Sequence, residues 1–132
     1  MTKLIHQSGT RKTAVARATL TEGSGTVRLN SQLIISLPKT LFRAKIEEPL
    51  IIAGDVAKKV DISVNVHGGG SNSQAEAVRI AIAKALATYD KKLHSTYLEY
   101  DRAFLVADVR RKETRKPNCH GKARAKRQKS YR

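Results

Sequence analysis

Val60-Asp61-Ile62-Ser63-Val64-Asn65-Val66-His67-Gly68-Gly69-Gly70 is the stretch whose reading decides the fold. Its first eight residues alternate without a break. Val60, Ile62, Val64 and Val66 point one way; Asp61, Ser63, Asn65 and His67 point the other. A period of two, β-branched on one side and polar on the other, is the pattern of a half-buried strand whose second face meets solvent or ligand. Three glycines then end the strand. From about Ser73 to Tyr89 the period becomes 3.6. Ala75, Val78, Ala81, Ile82, Ala85, Leu86 and Tyr89 share one face, and Glu76, Arg79, Lys84 and Thr88 lie opposite. The many alanines predict a helix packed closely on a sheet.

The flanking segments extend this pattern. Between Thr13 and Thr21, Ala14, Ala16, Ala18 and Leu20 fall on one strand face, with Thr13, Arg17, Thr19 and Thr21 on the other. Val15 interrupts the alternation. Glu22-Gly23-Ser24-Gly25 is turn chemistry, and Val27 to Leu29 follows as a short strand, so a hairpin is expected there. A helix begins near Pro38, with Phe42 and Ile46 four apart, and Pro49 is expected to break or kink it. Leu93 and Tyr97 suggest another helix over Lys91–Glu99, and Phe104 to Val109 reads as a last strand. The order predicts an α/β (α+β) two-layer sandwich over residues 1–109, with no internal repeat.

Charge divides the chain at the same point. The protein has 132 residues, with 26 Lys and Arg against 11 Asp and Glu, a net charge of +15. Residues 110–132 hold eleven of those cations and a single acid, Glu113. They contain no Ile, Leu, Val, Met or Phe, so this segment cannot bury enough apolar surface to offset its ordering entropy. An extended tail, ordered by a polyanion, is the expectation. Its alternative, a solvated charged face, would carry more acids. With hydrophobic residues at 40%, the rest of the chain can build a core. Aromatics at 5% and the absence of Trp argue against a platform for stacking single-stranded bases.

No apolar run approaches the roughly 18 residues of a membrane span. The N-terminal Met1-Thr2-Lys3-Leu4-Ile5-His6 has no long apolar segment like that of a secretory leader. One cysteine, Cys119, allows no intrachain disulfide, and an intracellular, reducing compartment is expected.

Motifs for catalysis are missing. His67-Gly68-Gly69-Gly70 has the letters of a lipase oxyanion loop, but the chain has no Gly-x-Ser-x-Gly nucleophile elbow. There is no Walker A loop and no Gly-x-Gly-x-x-Gly. Cys119-His120 has no second ligand pair at zinc spacing, so no metal and no cofactor are expected. Asp90, Glu99, Asp101 and Asp108 are scattered among cations and read as surface acids. The glycine turn has two compatible readings. It is a sharp strand-to-helix turn, and it aims backbone N–H groups at an anion such as an RNA phosphate. Arg11, Lys12 and Arg17 around the strand start would position a phosphate backbone; a strand edge protected by charge is the alternative.

These motifs carry a resemblance. Arg11-Lys12-Thr13-Ala14-Val15-Ala16-Arg17, then Gly68-Gly69-Gly70 with Gln74-Ala75-Glu76-Ala77-Val78-Arg79, then Ala83-Lys84-Ala85-Leu86 with Tyr89-Asp90, and a basic tail ending Gln128-Lys129-Ser130-Tyr131-Arg132 stand in one order. Together they resemble the universal ninth small-subunit ribosomal protein family, and the ending looks archaeal. The resemblance implies the fold of the second domain of the fifth small-subunit protein, with a left-handed β-α-β crossover against the usual hand. It implies a non-enzymatic, cytoplasmic ribosomal protein in the small-subunit head, bound to the 3′ major domain of rRNA. The partners it implies are that rRNA, P-site tRNA and neighbouring head proteins, with no membrane and no homo-oligomer.

The implied rRNA contacts are Arg11, Lys12 and Arg17, then Gly68, Gly69, Gly70 and Arg79. In the tail they are Arg110, Arg111, Lys112, Arg115, Lys116, Lys122, Arg124, Lys126 and Arg127. The tip that reaches the tRNA anticodon stem-loop is Lys129, Ser130, Tyr131 and Arg132. Relatives often carry an aromatic residue before the final Gln; here Arg127 precedes Gln128, and a phosphate contact would replace stacking. Eight tail cations on phosphates would give a log–log salt slope of about −6 for single strands.

Overall fold

The computed structural model describes residues 4–124 and 130. The chain forms β1 (Ile5–Arg11), β2 (Ala14–Glu22), β3 (Val27–Leu29), β4 (Gln32–Leu33), α1 (Leu41–Ala53), β5 (Val60–His67), α2 (Ser71–Tyr89) and α3 (Lys91–Tyr100). The strands make one sheet in the order β1-β2-β5-β3-β4. The alternating strand identified above, β5, takes the centre. It runs antiparallel to β2 and parallel to β3, with α1 in the crossover from β3 to β5.

The two faces of the sheet differ as the alternation requires. Ala14, Ala16, Ala18 and Leu20 of β2 and Val60, Ile62, Val64 and Val66 of β5 are buried beneath α2. Arg17, Ser63, Asn65 and His67 stay exposed on the other face, which no helix among the described residues covers. Fully buried side chains such as Leu20, Ile62, Ile82 and Leu86 each contribute about 1.5–3 kcal/mol of hydrophobic stabilisation. α2 is buried on more sides than its periodicity suggests. Ala77, Ile80, Ala83 and Ala87 are buried as well, because α1 and α3 pack on flanks the sheet does not reach. Alanine lets these elements approach. At Gly9 in β1 the approach is closer still: a Cβ there would lie 2.2 Å from the Ala77 carbonyl oxygen and 2.6 Å from the Ala81 nitrogen of α2.

Three expectations are corrected. β2 and β3 are not a hairpin; β5 lies between them. The reason is in the connecting turn, whose Ser24 and Thr26 N–H groups donate to the Asp61 carboxylate at 2.9 and 2.8 Å, while Gly23 N–H donates to Lys59 O. These bonds fasten the turn to the start of β5, so β3 emerges on the far side. The hairpin partner of β2 is β1, through a tight turn in which Lys12 takes φ 53°.

Second, of the two outcomes expected at Pro49, a break or a kink, the break does not occur: α1 continues to Ala53. Pro49 brings no N–H to its turn, but it is fully buried, and its carbonyl accepts the Tyr97 hydroxyl at 2.7 Å. Third, Phe104 to Val109 is not a strand. A short 3₁₀ turn spans Arg102–Phe104, Phe104 is buried against Tyr97 at 5.2 Å between ring centroids, and Val109 is exposed. The Asp101 side chain caps that turn by accepting from Ala103 N–H, which diverts the chain from extended geometry.

Candidate nucleic-acid interface

Apart from Arg17, which stands exposed on the open sheet face, the cations named from the sequence fall into three groups. The first is tied to carboxylates on the helical side. Arg11, at the end of β1, pairs with Glu76 of α2 at 2.6 Å and with Asp108. Lys45 of α1 reaches the same Glu76 at 3.1 Å and Asn72 at 2.6 Å. Burial works against the Glu76 charge, but hydrogen bonds from Lys45 and Arg11 outweigh it and hold the carboxyl below its usual range. Arg79 of α2 pairs with Glu48 at 2.7 Å and Asp101 at 3.0 Å, and its guanidinium lies 4.0 Å from the Phe104 ring centroid. The Arg11 and Arg79 side chains are each only 15% exposed. A groove of about 440 Å³ opens beside them, but both of these guanidinium groups on its wall already have acid partners.

The second group surrounds the glycine turn. Gly68 and Gly69 take φ of 77° and 66°, so the turn needs glycine for its backbone. A Cβ on Gly68 would also lie 2.6 Å from Thr13 O, which sets this turn against the β1–β2 turn and its exposed Lys12. Gly70 differs: its φ is −104°, and a Cβ there meets nothing within 4 Å. It caps α2 with no side-chain hydrogen bond, and the first turn of α2 holds no acid. Gln74 braces the turn by donating to Gly68 O at 3.0 Å. The end of the molecule therefore combines the positive pole of a 19-residue helix with Lys12.

The third group is the basic segment. Arg110 pairs with Asp108 at 2.8 Å, and Arg111 donates to Thr10 Oγ1 at 3.2 Å, so the segment leaves the domain along β1. Lys112, Arg115, Lys116 and Lys122 are exposed. The segment is not extended throughout. Lys116 N–H donates to Lys122 O at 2.8 Å, Asn118 takes φ 61°, and Arg124 pairs with Glu113, so residues 113–124 close a loop. That pair holds the Glu113 carboxyl below its usual range. Cys119 is free, and the described residues contain no cluster of metal-ligating side chains. Ser130 is exposed; Lys126, Arg127, Lys129, Tyr131 and Arg132 lie outside the described residues.

Among the described residues, seven of the eleven carboxylates sit in ion pairs, most of them on the helical side. Outside those pairs, the basic segment carries the longest run of exposed cations, Lys12 stands at the glycine-turn end, and Arg17 and Arg28 stand on the open sheet face.

The family model described as "Ribosomal protein S9/S16" matches residues 9–132. A Picrophilus torridus protein named "Small ribosomal subunit protein uS9" is 50% identical over 134 residues, covering all of both chains. Proteins of the same name from Methanococcus vannielii and Methanococcus maripaludis are 44% identical over 133 residues, covering 98% of this chain and 99% of theirs. The chain belongs to the ribosomal protein S9 family. It is a ribosomal protein of archaeal type and not an enzyme. No helix among the described residues is long and apolar enough to cross a membrane.

Within this S9-family chain, two cations escaped the sequence reading. Arg28 stands exposed on the open sheet face, and the alternation Val27-Arg28-Leu29 contained the signal. Lys45 gave no local sign, because its partners Asn72 and Glu76 lie on another helix.

Proposed function

We propose that this chain is a structural constituent of the small ribosomal subunit, binding rRNA of the subunit head. The observation that carries the reading is the full-length identity to proteins named for that subunit. The charge distribution supports it. Lys112, Arg115, Lys116 and Lys122 follow one another on an exposed segment poor in acids, and each phosphate they neutralise releases counterions. The Lys12 turn and the uncapped start of α2 are suited to an adjacent phosphate. Arg11 and Arg79 act in this reading as positioning residues: their ion pairs hold the turn, α2 and the root of the tail together.

The finer reading follows from the family resemblance. The tail beyond the 113–124 loop runs between rRNA helices, and Lys129, Ser130, Tyr131 and Arg132 touch the anticodon stem-loop of P-site tRNA. The β3-α1-β5 crossover is left-handed, as in the second domain of the fifth small-subunit protein. The chain acts as a single copy among neighbouring head proteins, in the cytoplasm.

Deleting Lys129 to Arg132 tests the tip. Subunits should assemble normally and bind P-site tRNA more weakly, by roughly tenfold if two or three charge-assisted contacts are lost. Unchanged tRNA affinity in truncated subunits would remove the tRNA role. Crosslinking the N-terminally tagged chain in cells and sequencing the attached RNA tests the larger claim. Reads concentrated in small-subunit rRNA are expected; reads scattered over transcripts, or recovered DNA, would reduce the chain to a general polyanion binder.

A further inference from the structure

We propose that the open face of the sheet docks on an A-form RNA duplex and recognises it through ribose 2′-hydroxyls and backbone phosphates. The inference rests on the rRNA-binding reading and adds to it a specific surface and a specific chemistry.

Strand register fixes what that surface presents. Side chains directly opposite one another in the ladders form rows across the sheet. One row is Ser8, Arg17 and Asn65; the next is His6, Thr19, Ser63 and Arg28. Thr10, Val15 and His67 flank them on one side, and Thr21 and Asp61 on the other. Ser8, Arg17, Arg28, Ser63, Asn65 and His67 are exposed, and Thr19 and Thr21 are half-buried. Six of these twelve side chains are hydroxyl or amide groups; the others are two arginines, two histidines, Asp61 and Val15, with no phenyl, phenol or indole ring.

Three features select the partner. Among the described residues the two arginines have no acid partner, and the single carboxylate on this face, Asp61, is occupied by the Ser24 and Thr26 N–H groups. The face is therefore complementary to an anion. Arg17 and Arg28 stand two strands and two residues apart, about 12 Å from strand geometry, so they serve different phosphates. Between them lie Thr19, whose hydroxyl shares a hydrogen bond with His6 Nδ1 at 2.8 Å and keeps a free lone pair, and Ser63; both hydroxyls can donate and accept, as does a ribose 2′-hydroxyl. The minor groove of an RNA duplex is wide and shallow and displays 2′-hydroxyls between phosphate rows. A sheet face matches it in shape, and the lack of Phe, Tyr or Trp on it disfavours a platform of splayed single-stranded bases. Glu76 and Glu48, by contrast, are drawn into ion pairs on the helical side.

Binding of the full chain to an RNA duplex of about 16 base pairs and to DNA of the same sequence tests this, because the basic segment attracts both by charge. The ratio of the two affinities isolates the sheet face. The native chain should prefer RNA by about tenfold or more. Thr19→Val combined with Ser63→Ala should remove roughly tenfold of that preference and leave DNA binding unchanged, the effect of two lost hydrogen bonds. Arg17→Gln with Arg28→Gln should weaken both and reduce the duplex salt slope by about 1.8. Equal RNA and DNA affinities, or a preference that survives Thr19→Val with Ser63→Ala, would overturn the proposal.

A second measurement replaces Asn65 with a photoreactive side chain in assembled subunits. Crosslinks to an rRNA helix support the proposal; crosslinks to a neighbouring protein overturn it. The larger reading fails separately. A chain that keeps its hydroxyl-dependent RNA preference but does not sediment with small subunits leaves the sheet face as an RNA surface and removes the ribosomal assignment.

Discussion

Arg79 and Arg17 are the same residue type on facing elements of one small domain, and the structure gives them opposite surroundings. Arg79 is enclosed by Glu48, Asp101 and the Phe104 ring, whereas Arg17 stands exposed between Ser8 and Asn65. The contrast extends to the two layers. The helical side gathers carboxylates around Arg11, Lys45 and Arg79, and the sheet side leaves Arg17 and Arg28 open. In a strongly basic chain, acids are scarce, and where they are spent decides where positive charge remains for a partner. A cation's function follows from its opposing charges more than from its place in a motif.

The largest test compares adjacent residues of β1. Gly9→Ala pushes a methyl group into the backbone of α2, and neither partner can yield without separating β1 from the helix. It should cost about 3 kcal/mol, at the upper end of overpacking penalties. Ser8→Ala, on the open face, should stay within about 0.5 kcal/mol. Urea denaturation of both variants checks the pair, and a mild Gly9→Ala would mean that β1 is not clamped to α2.

Arg79→Met against Arg17→Met comes next. The first strands two half-buried carboxylates and loses the ring contact, which should cost about 2 kcal/mol, below the range for fully buried pairs because Glu48 and Asp101 keep some solvent. The second should leave stability unchanged and weaken RNA binding. Equal thermal stabilities in the two variants would erase the distinction between a positioning arginine and a contact arginine.

How much of this was legible in the sequence follows from how local each determinant is. The alternation of β5 and the period of α2 are written in contiguous residues, and both elements form within two residues of the expected bounds. The positive φ of Gly68 and Gly69 was legible for the same reason. β1 was not, because only Ile5 marks its inner face as apolar; Gln7, Gly9 and Arg11 fill the rest. The sheet order depended on Asp61 capturing a turn some 35 residues earlier, which no local pattern expresses. The same holds for the interface. Exposed tail cations were visible as composition, but the withdrawal of Arg11 and Arg79 into ion pairs required knowing that Glu76, Glu48, Asp101 and Asp108 converge on them.

Acid separates the two layers more gently. The Glu76 carboxyl is held below its ordinary value by Lys45 and Arg11 against the opposing effect of burial. A depressed folded-state value means that this group stabilises the fold above its unfolded value of about 4.5 and that the contribution fades as pH falls through the folded value. The urea midpoint of the native chain should therefore drop more steeply below pH 5 than that of Glu76→Gln, with the two curves converging in acid. Parallel curves would mean that Glu76 contributes no coupling between β1, α1 and α2.

The smallest effect belongs to the Glu113–Arg124 pair in the basic segment. It repeats the chemistry of Glu48–Arg79 with the arginine side chain 84% exposed rather than 15%. In water such a pair contributes about 0–1 kcal/mol, so it closes the loop only weakly. A phosphate can take the place of Glu113 at little cost. Glu113→Gln removes the one acid of the segment and frees Arg124 before RNA arrives. Affinity for rRNA should rise by a few-fold at low salt, the gain should vanish at high salt, and thermal stability should not change. A loss of affinity would show the opposite relation: that Glu113 holds the loop in the shape the RNA accepts, and that even in the tail an acid partner positions its arginine rather than masking it.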